Sequence, residues 1–195
     1  MRKQIRPAEP AILIEHGTRW TQQWIELRKR NPAAQFSWYV VNGEPANVLL
    51  MPFLRDMTQE HCAFCDAFPF SDRSPETIEH FRPKSLFPEV AYHWVNLYYC
   101  CARCQGEKGG QWDDRLLSPD APDYSFERYF FFEFTTGALR PNPQATKEDQ
   151  DRARETIRIY NLDEPKRKAR KLVMRDWRND PAKNIDEFGY RDCLT

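Results

Sequence analysis

Two cysteine pairs set the chemistry available to the middle of this chain, Cys62-Ala63-Phe64-Cys65 and Cys101-Ala102-Arg103-Cys104. A Cys-x-x-Cys spacing lets two thiolates face one ion, and two such pairs complete the tetrahedral shell that Zn²⁺ favours. In a chain without a recognisable export signal, this placement reads as metal ligation. Redox disulfides, an iron centre and inert buried thiols are the competing readings. Cys100 reads as a core neighbour able to compete with Cys101 for the ion, Cys193 as a free thiol, and His61 as a packed or exposed flank. Between the pairs lies Thr77-Ile78-Glu79-His80-Phe81-Arg82-Pro83-Lys84-Ser85. Trp94-Val95-Asn96-Leu97-Tyr98-Tyr99 then runs into the second pair, which is followed by Gln105-Gly106-Glu107-Lys108-Gly109. An imidazole is neutral near pH 7 and can accept a proton from water, which makes His80 the candidate general base.

In this order, an acidic-His-x-x-Pro-x-Ser segment, an Asn-Leu pair and a Cys-x-x-Cys followed by a ligand position and a lysine resemble the HNH (His-Me finger) endonucleases in their zinc-bound subtype. The resemblance implies an α+β fold with a ββα-metal core and hydrolysis of phosphodiester bonds in DNA or RNA. It implies that Glu79 and the residue after the second cysteine pair hold one catalytic cation, Mg²⁺ or Mn²⁺, and that Asn96 braces the loop carrying the histidine. Where the family places His or Asn after that pair, this chain has Gln105, whose amide oxygen reaches from one methylene further out. Glu107 is the alternative ligand. Lys108 joins His80 and Asn96 in the catalytic set, and Arg82 and Lys84 are candidates for contacting phosphates.

The likeness extends beyond these motifs. Met1-Arg2-Lys3, Leu116-Leu117-Ser118-Pro119 and Thr156-Ile157-Arg158-Ile159-Tyr160-Asn161-Leu162, added to the central segments, resemble the PtuB-type HNH effectors of bacterial Septu and retron anti-phage systems. That resemblance implies a PtuA-type ATPase partner and a role in phage defence. The main alternative is a zinc-stabilised module that binds nucleic acid or a partner through a degenerate HNH site. A cysteine-based redox protein is a weaker third reading, since no βαβ context surrounds the cysteines.

These residues need elements to position them. Trp20, Trp24 and Leu27 predict a helix over 18–30 that Pro32 ends, and a second helix is expected after Pro45, with Pro52 as a possible kink. Residues 59–115 read as the metal-built core, 1–58 as a helical N-terminal region, and 116–195 as a β-hairpin followed by helices. In that last region, 129–134 and 138–140 flank a Thr136-Gly137 turn, 149–160 is helical, and Pro165 opens a helix running to 177. The last helix is basic. Lys166, Arg167, Lys168, Arg170 and Lys171, with Arg175 and Arg178 beyond them, form either a solvated face or a surface for phosphates or a partner. The aromatic run 129–134 is read as buried strand ahead of a base-stacking platform, and His93 as packed.

The whole chain of 195 residues carries 29 Lys and Arg against 29 Asp and Glu, a net charge of zero. Any polyanion contact must come from a local patch or a partner subunit. Its 41% hydrophobic content suffices for one real core. No apolar run is long enough to span a membrane, and no h-region follows the basic start, so a cytoplasmic location is expected.

Overall fold

The computed structural model describes residues 1–72, 74–180 and 182–194. Helix α1 (Ala11–Arg30) begins behind the extended Pro10, not at 18, because Leu13 and Gly17 continue the buried stripe of Trp20, Thr21 and Trp24 by further turns. Helix α2 (Ala46–Thr58) continues unbroken across Pro52. Proline in a helix interior ordinarily costs about 3 kcal/mol. Here Ala46, Leu50, Leu54 and Thr58 recur every fourth residue and are all buried, and that tertiary burial wins. A two-residue pair, β1 (Val40–Val41) and β2 (Glu44–Pro45), links the two helices.

The central element is an antiparallel pair, β3 (Glu76–His80) and β4 (Leu97–Cys101), followed directly by helix α3 (Ala102–Lys108). The register sets Glu79 opposite Tyr98 and His80 opposite Leu97. Every residue of β4 is buried, because the hairpin is a wall between two cores. Side chains alternate along a strand. Leu97 and Tyr99, with Ile78, enter the core built on α1 and α2, whereas Tyr98 and Cys100 enter the core that holds the cysteines. With only two strands, the outer edge of β3 would be left with open carbonyls. Helix α3 closes it: Gln105 Nε2 donates to Ile78 O at 2.8 Å and Lys108 Nζ to His80 O at 3.0 Å.

A short helix α4 (Phe126–Tyr129) leads into the hairpin β5 (Phe130–Glu133) and β6 (Ala138–Pro141), and helices α5 (Lys147–Ile159) and α6 (Glu164–Asn179) complete the chain. The fold is α+β: helices around three separate two-stranded sheets among the described residues. Tyr129, Phe130 and Phe132 of the aromatic run are buried, while Phe131 and Phe134 face solvent.

Helix α6 does not expose all the cations that the sequence assigns to a solvated face or a phosphate- or partner-binding surface. Lys166, Arg170 and Met174, spaced by four, form its buried face. Lys166 Nζ donates to Tyr160 O and Asn161 O, two carbonyls that the end of α5 leaves open. Arg170 donates to Gly137 O and Leu162 O. Both cations are spent on backbone inside the protein, so neither is free to meet a phosphate. Among the described residues, no helix is long and apolar enough to cross a membrane.

Candidate active site and metal centre

The zinc ligands expected from spacing meet in space. The Sγ atoms of Cys62, Cys65, Cys101 and Cys104 all lie within 4.8 Å of one another, and all four residues are buried. A tetrahedral Zn–S shell with bonds of about 2.3 Å puts sulfurs roughly 3.8 Å apart. The Cys65–Cys101 separation is 3.8 Å. Local backbone explains the convergence. The Ala63 amide donates to Tyr99 O, which lays the first knuckle along the outer edge of β4, and the Cys101 amide donates to Cys62 Sγ. Four buried thiols grouped in this way could bind zinc. Cys100 lies outside the group, with its Sγ 4.0 Å from that of Cys62 and donating to Cys101 O. His61 is excluded by its partners, since its two ring nitrogens bond Gln59 O and Phe188 O. Cys193 is buried apart from the group.

A second site opens at the end of β3. A cavity of about 320 Å³ is lined by Glu79, His80, Pro83, Lys84, Ser85, Gln105, Gly109 and Gly110. His80 Nε2 is 3.0 Å from Ala91 O, which makes Nε2 the protonated nitrogen and leaves the lone pair on Nδ1. Burial lowers the His80 pKa to about 3, helped by Lys84 and Lys108 and opposed by the Ala91 hydrogen bond, so the ring is neutral. The ring stacks on Trp38 at 5.5 Å and meets the edge of Phe36 at 5.1 Å. Glu79 gives one carboxylate oxygen to Lys108 Nζ at 2.7 Å, with both side chains almost fully buried. Burial raises the Glu79 carboxyl to about 7 against the pull of Lys108 and Lys84. Gln105 spends its Nε2 on Ile78 O, which turns its amide oxygen away from that edge.

Lys108 therefore sits beneath the site, holding Glu79 and the end of β3, and its Nζ is enclosed by protein. Lys108→Ala would strand a buried carboxylate and reopen the β3 edge. We expect a loss of roughly 3–5 kcal/mol in stability, read by chemical denaturation against the parent.

Asn96 makes three hydrogen bonds with one side chain. Its Oδ1 accepts from the Arg82 amide at 2.7 Å, and its Nδ2 donates to Arg82 O at 3.1 Å and Val90 O at 3.0 Å. It sits in a 3-10 turn (Trp94–Asn96) before β4 and ties down both ends of the loop that follows His80. Asn96→Asp keeps the size but removes both donors and faces a carboxylate to two carbonyls. The expected result is a lower thermal midpoint and a loss of about 10–100-fold in any activity that depends on loop geometry.

Of the other residues singled out from sequence, Arg82 is exposed, with its guanidinium 5.5 Å from the Trp112 ring and 5.7 Å from Phe87. Lys84 lines the cavity, its ammonium 5.0 Å from the Phe36 ring. Arg167 pairs with Asp163 and Glu164 on the flank of α6. Lys168 and Lys171 are exposed there. His93 is exposed, not packed. Sequence reasoning missed Phe36, Trp38 and Trp112. The first two lie in an irregular segment between α1 and β1, where no periodicity links them to a histidine more than forty positions away.

No family model matches the chain. Over 104 residues it is 29% identical to the Septu protein PtuB of Bacillus thuringiensis. It is a weak homologue of a Septu protein. The matched stretch is 53% of this chain and 35% of that relative, so the chain spans about a third of the relative's length.

Proposed function

We propose that the chain is an HNH-type, metal-dependent endonuclease acting in anti-phage defence, with His80 as the base that activates water. One observation carries the reading. A neutral imidazole, anchored through Nε2 on Ala91 O, shares a cavity with a carboxylate and an amide side chain. That hairpin also runs straight into the cysteine cluster, as the HNH resemblance requires.

Glu79 and Gln105 fit a hard divalent cation. One offers a carboxylate oxygen beyond the one bonded to Lys108, and the other an amide oxygen freed by the donation of its NH₂ to Ile78 O. Two oxygen donors suit Mg²⁺ or Mn²⁺, which keep most of their waters. When bound, such a cation neutralises charge on the scissile phosphate and on the leaving oxygen. The chain's own residues do the rest. His80 Nδ1 takes a proton from water, the resulting hydroxide oxygen bonds to phosphorus, and the P–O3′ bond breaks with its electron pair going to the 3′-oxygen, which is then protonated from solvent. An anionic phosphate in the cavity favours the imidazolium formed in that step and so strengthens a base that burial has weakened. Lys84, on the cavity wall, and the exposed Arg82, beside Pro83 in the same loop, attract and orient the phosphate. Asn96 and Lys108 hold the base and the carboxylate in place.

The Septu likeness, with the flanking motifs, supports a PtuA-type ATPase as the partner. Zero net charge accords with shared substrate binding. The fate of Gln105 favours one other reading, because an amide tied to Ile78 is a less adaptable ligand than the His or Asn it replaces. A binding module with a degenerate site would follow. The deciding experiment is an Mg²⁺- and Mn²⁺-dependent cleavage assay on plasmid, single-stranded DNA and tRNA, with and without the neighbouring ATPase. Cleavage that requires the metal and His80 supports the nuclease. Identical products from wild type and His80→Ala on every substrate would remove it.

A further inference from the structure

Helix α6 has a face that the site above does not use. Its inner stripe, Lys166, Arg170 and Met174, is locked into the protein, and this fixes what the opposite side presents. Lys168, Lys171, Arg175 and Arg178 recur at intervals of three and four residues, so they share one narrow face, and all four are exposed. At 1.5 Å per residue the stripe is about 15 Å long. Arg175 pairs with the adjacent Asp176, and Glu164 at the first turn is held by Arg167. Lys168, Lys171 and Arg178 have no acidic partner among the described residues.

The stripe lines a groove of about 770 Å³, together with Phe134 and Thr136 from the β5–β6 turn. The β5–β6 turn packs closely on the helix. Gly137 in that turn has φ +72°, and a Cβ there would lie 2.8 Å from Arg167 O, so turn and helix are in direct backbone contact. Arg170 clamps the same turn by donating to Gly137 O.

We propose that this groove binds the phosphate backbone of a nucleic acid, as a second contact outside the catalytic cavity. A straight line of evenly spaced cations matches a periodic polyanion. A stripe about 15 Å long is long enough to meet a few phosphates of such a chain. An acidic protein segment fits less well, since such docking rests on a buried apolar centre. Of the apolar side chains that line it, Phe134 and Leu172 are half-exposed and border the cations, and Met174 is buried in the protein's own core. This inference depends on the nuclease reading for the identity of the polyanion.

The test measures binding, not cutting. In a His80→Ala background, anisotropy titrations with a labelled DNA duplex, single-stranded DNA and RNA, each about 30 nucleotides long, are run from about 50 to 200 mM salt. K168E/K171E/R178E is compared with its parent, and K168Q/K171Q/R178Q serves as a milder variant. Zinc content and thermal midpoint check that each variant is folded. The expected result is an affinity about tenfold or more weaker and a log–log salt slope shallower by about 2 to 3. Two results would overturn the proposal: equal slopes and affinities in folded variants, or a parent without salt-dependent binding to any of the three nucleic acids. Cleavage plays no part in the readout. A wild-type protein that fails to cut leaves the groove's binding intact, and an inert groove leaves the His80 chemistry intact.

Discussion

His80→Ala is expected to lower phosphodiester cleavage by about 10²–10⁴-fold, the usual contribution of a positioned general base. The reason lies in how completely this ring is specified. Ala91 O takes the Nε2 proton, Trp38 and Phe36 cover the ring, and the strand ends at His80 so that the side chain opens into the cavity. Another side chain at 80 has no route to the same proton. The substitution also removes the ring that Trp38 stacks on, so some loss of thermal stability accompanies it. Zinc content is the readout that separates the two effects. It should be unchanged, because the cysteines face the other core. A variant that keeps its zinc and its cooperative unfolding but loses cleavage identifies the base. A variant that cuts like wild type eliminates His80 from the chemistry.

A zinc held by the four buried cysteines would make metal removal the largest expected effect on folding. Structural Zn²⁺ contributes an apparent 10–16 kcal/mol or so in small zinc-finger peptides at neutral pH. Whole domains retain a net stability of only about 5–15 kcal/mol. The Cys62–Cys65 knuckle is bonded along β4, and β4 carries the Cys101–Cys104 pair into α3. Loss of the ion would therefore release the strand pair and the helix that closes β3. Cys104→Ser, or exhaustive chelation, is expected to abolish the cooperative thermal transition and any cleavage together. Cys100→Ala is the control. It touches the cluster without belonging to it, so about one zinc per chain should remain by elemental analysis. Retention of full zinc by Cys104→Ser, or its loss from Cys100→Ala, would mean that a different set of thiols holds the ion.

Much of the candidate site was legible in order along the chain. The two cysteine pairs, Glu79-His80 and Asn96-Leu97 carry their chemistry in residue type and spacing, and each lands at a strand end or a turn where that chemistry has room. The β5–β6 hairpin was legible too, since Thr136-Gly137 needs a positive φ that glycine supplies. Other features were not. Pro52 argued for a kink or a later start in α2, and the helix instead begins at Ala46 and continues through the proline on a fully buried face. Lys166 and Arg170 looked like surface cations because charge is a local property of sequence. Their burial depends on carbonyls left open by α5 and by a distant turn.

By itself the sequence determined which atoms can bind a metal, which ring can accept a proton and which helices carry charge, because these follow from side-chain chemistry and short-range periodicity. Tertiary structure decided the tautomer of His80, the burial of the Glu79–Lys108 pair, the aromatic cover from Phe36 and Trp38, and which cations of α6 face solvent. All four depend on partners in other elements, from the end of α5 next to α6 to Ala91, Lys108, Phe36 and Trp38. Their distances are set only when two cores pack on opposite faces of one short strand pair.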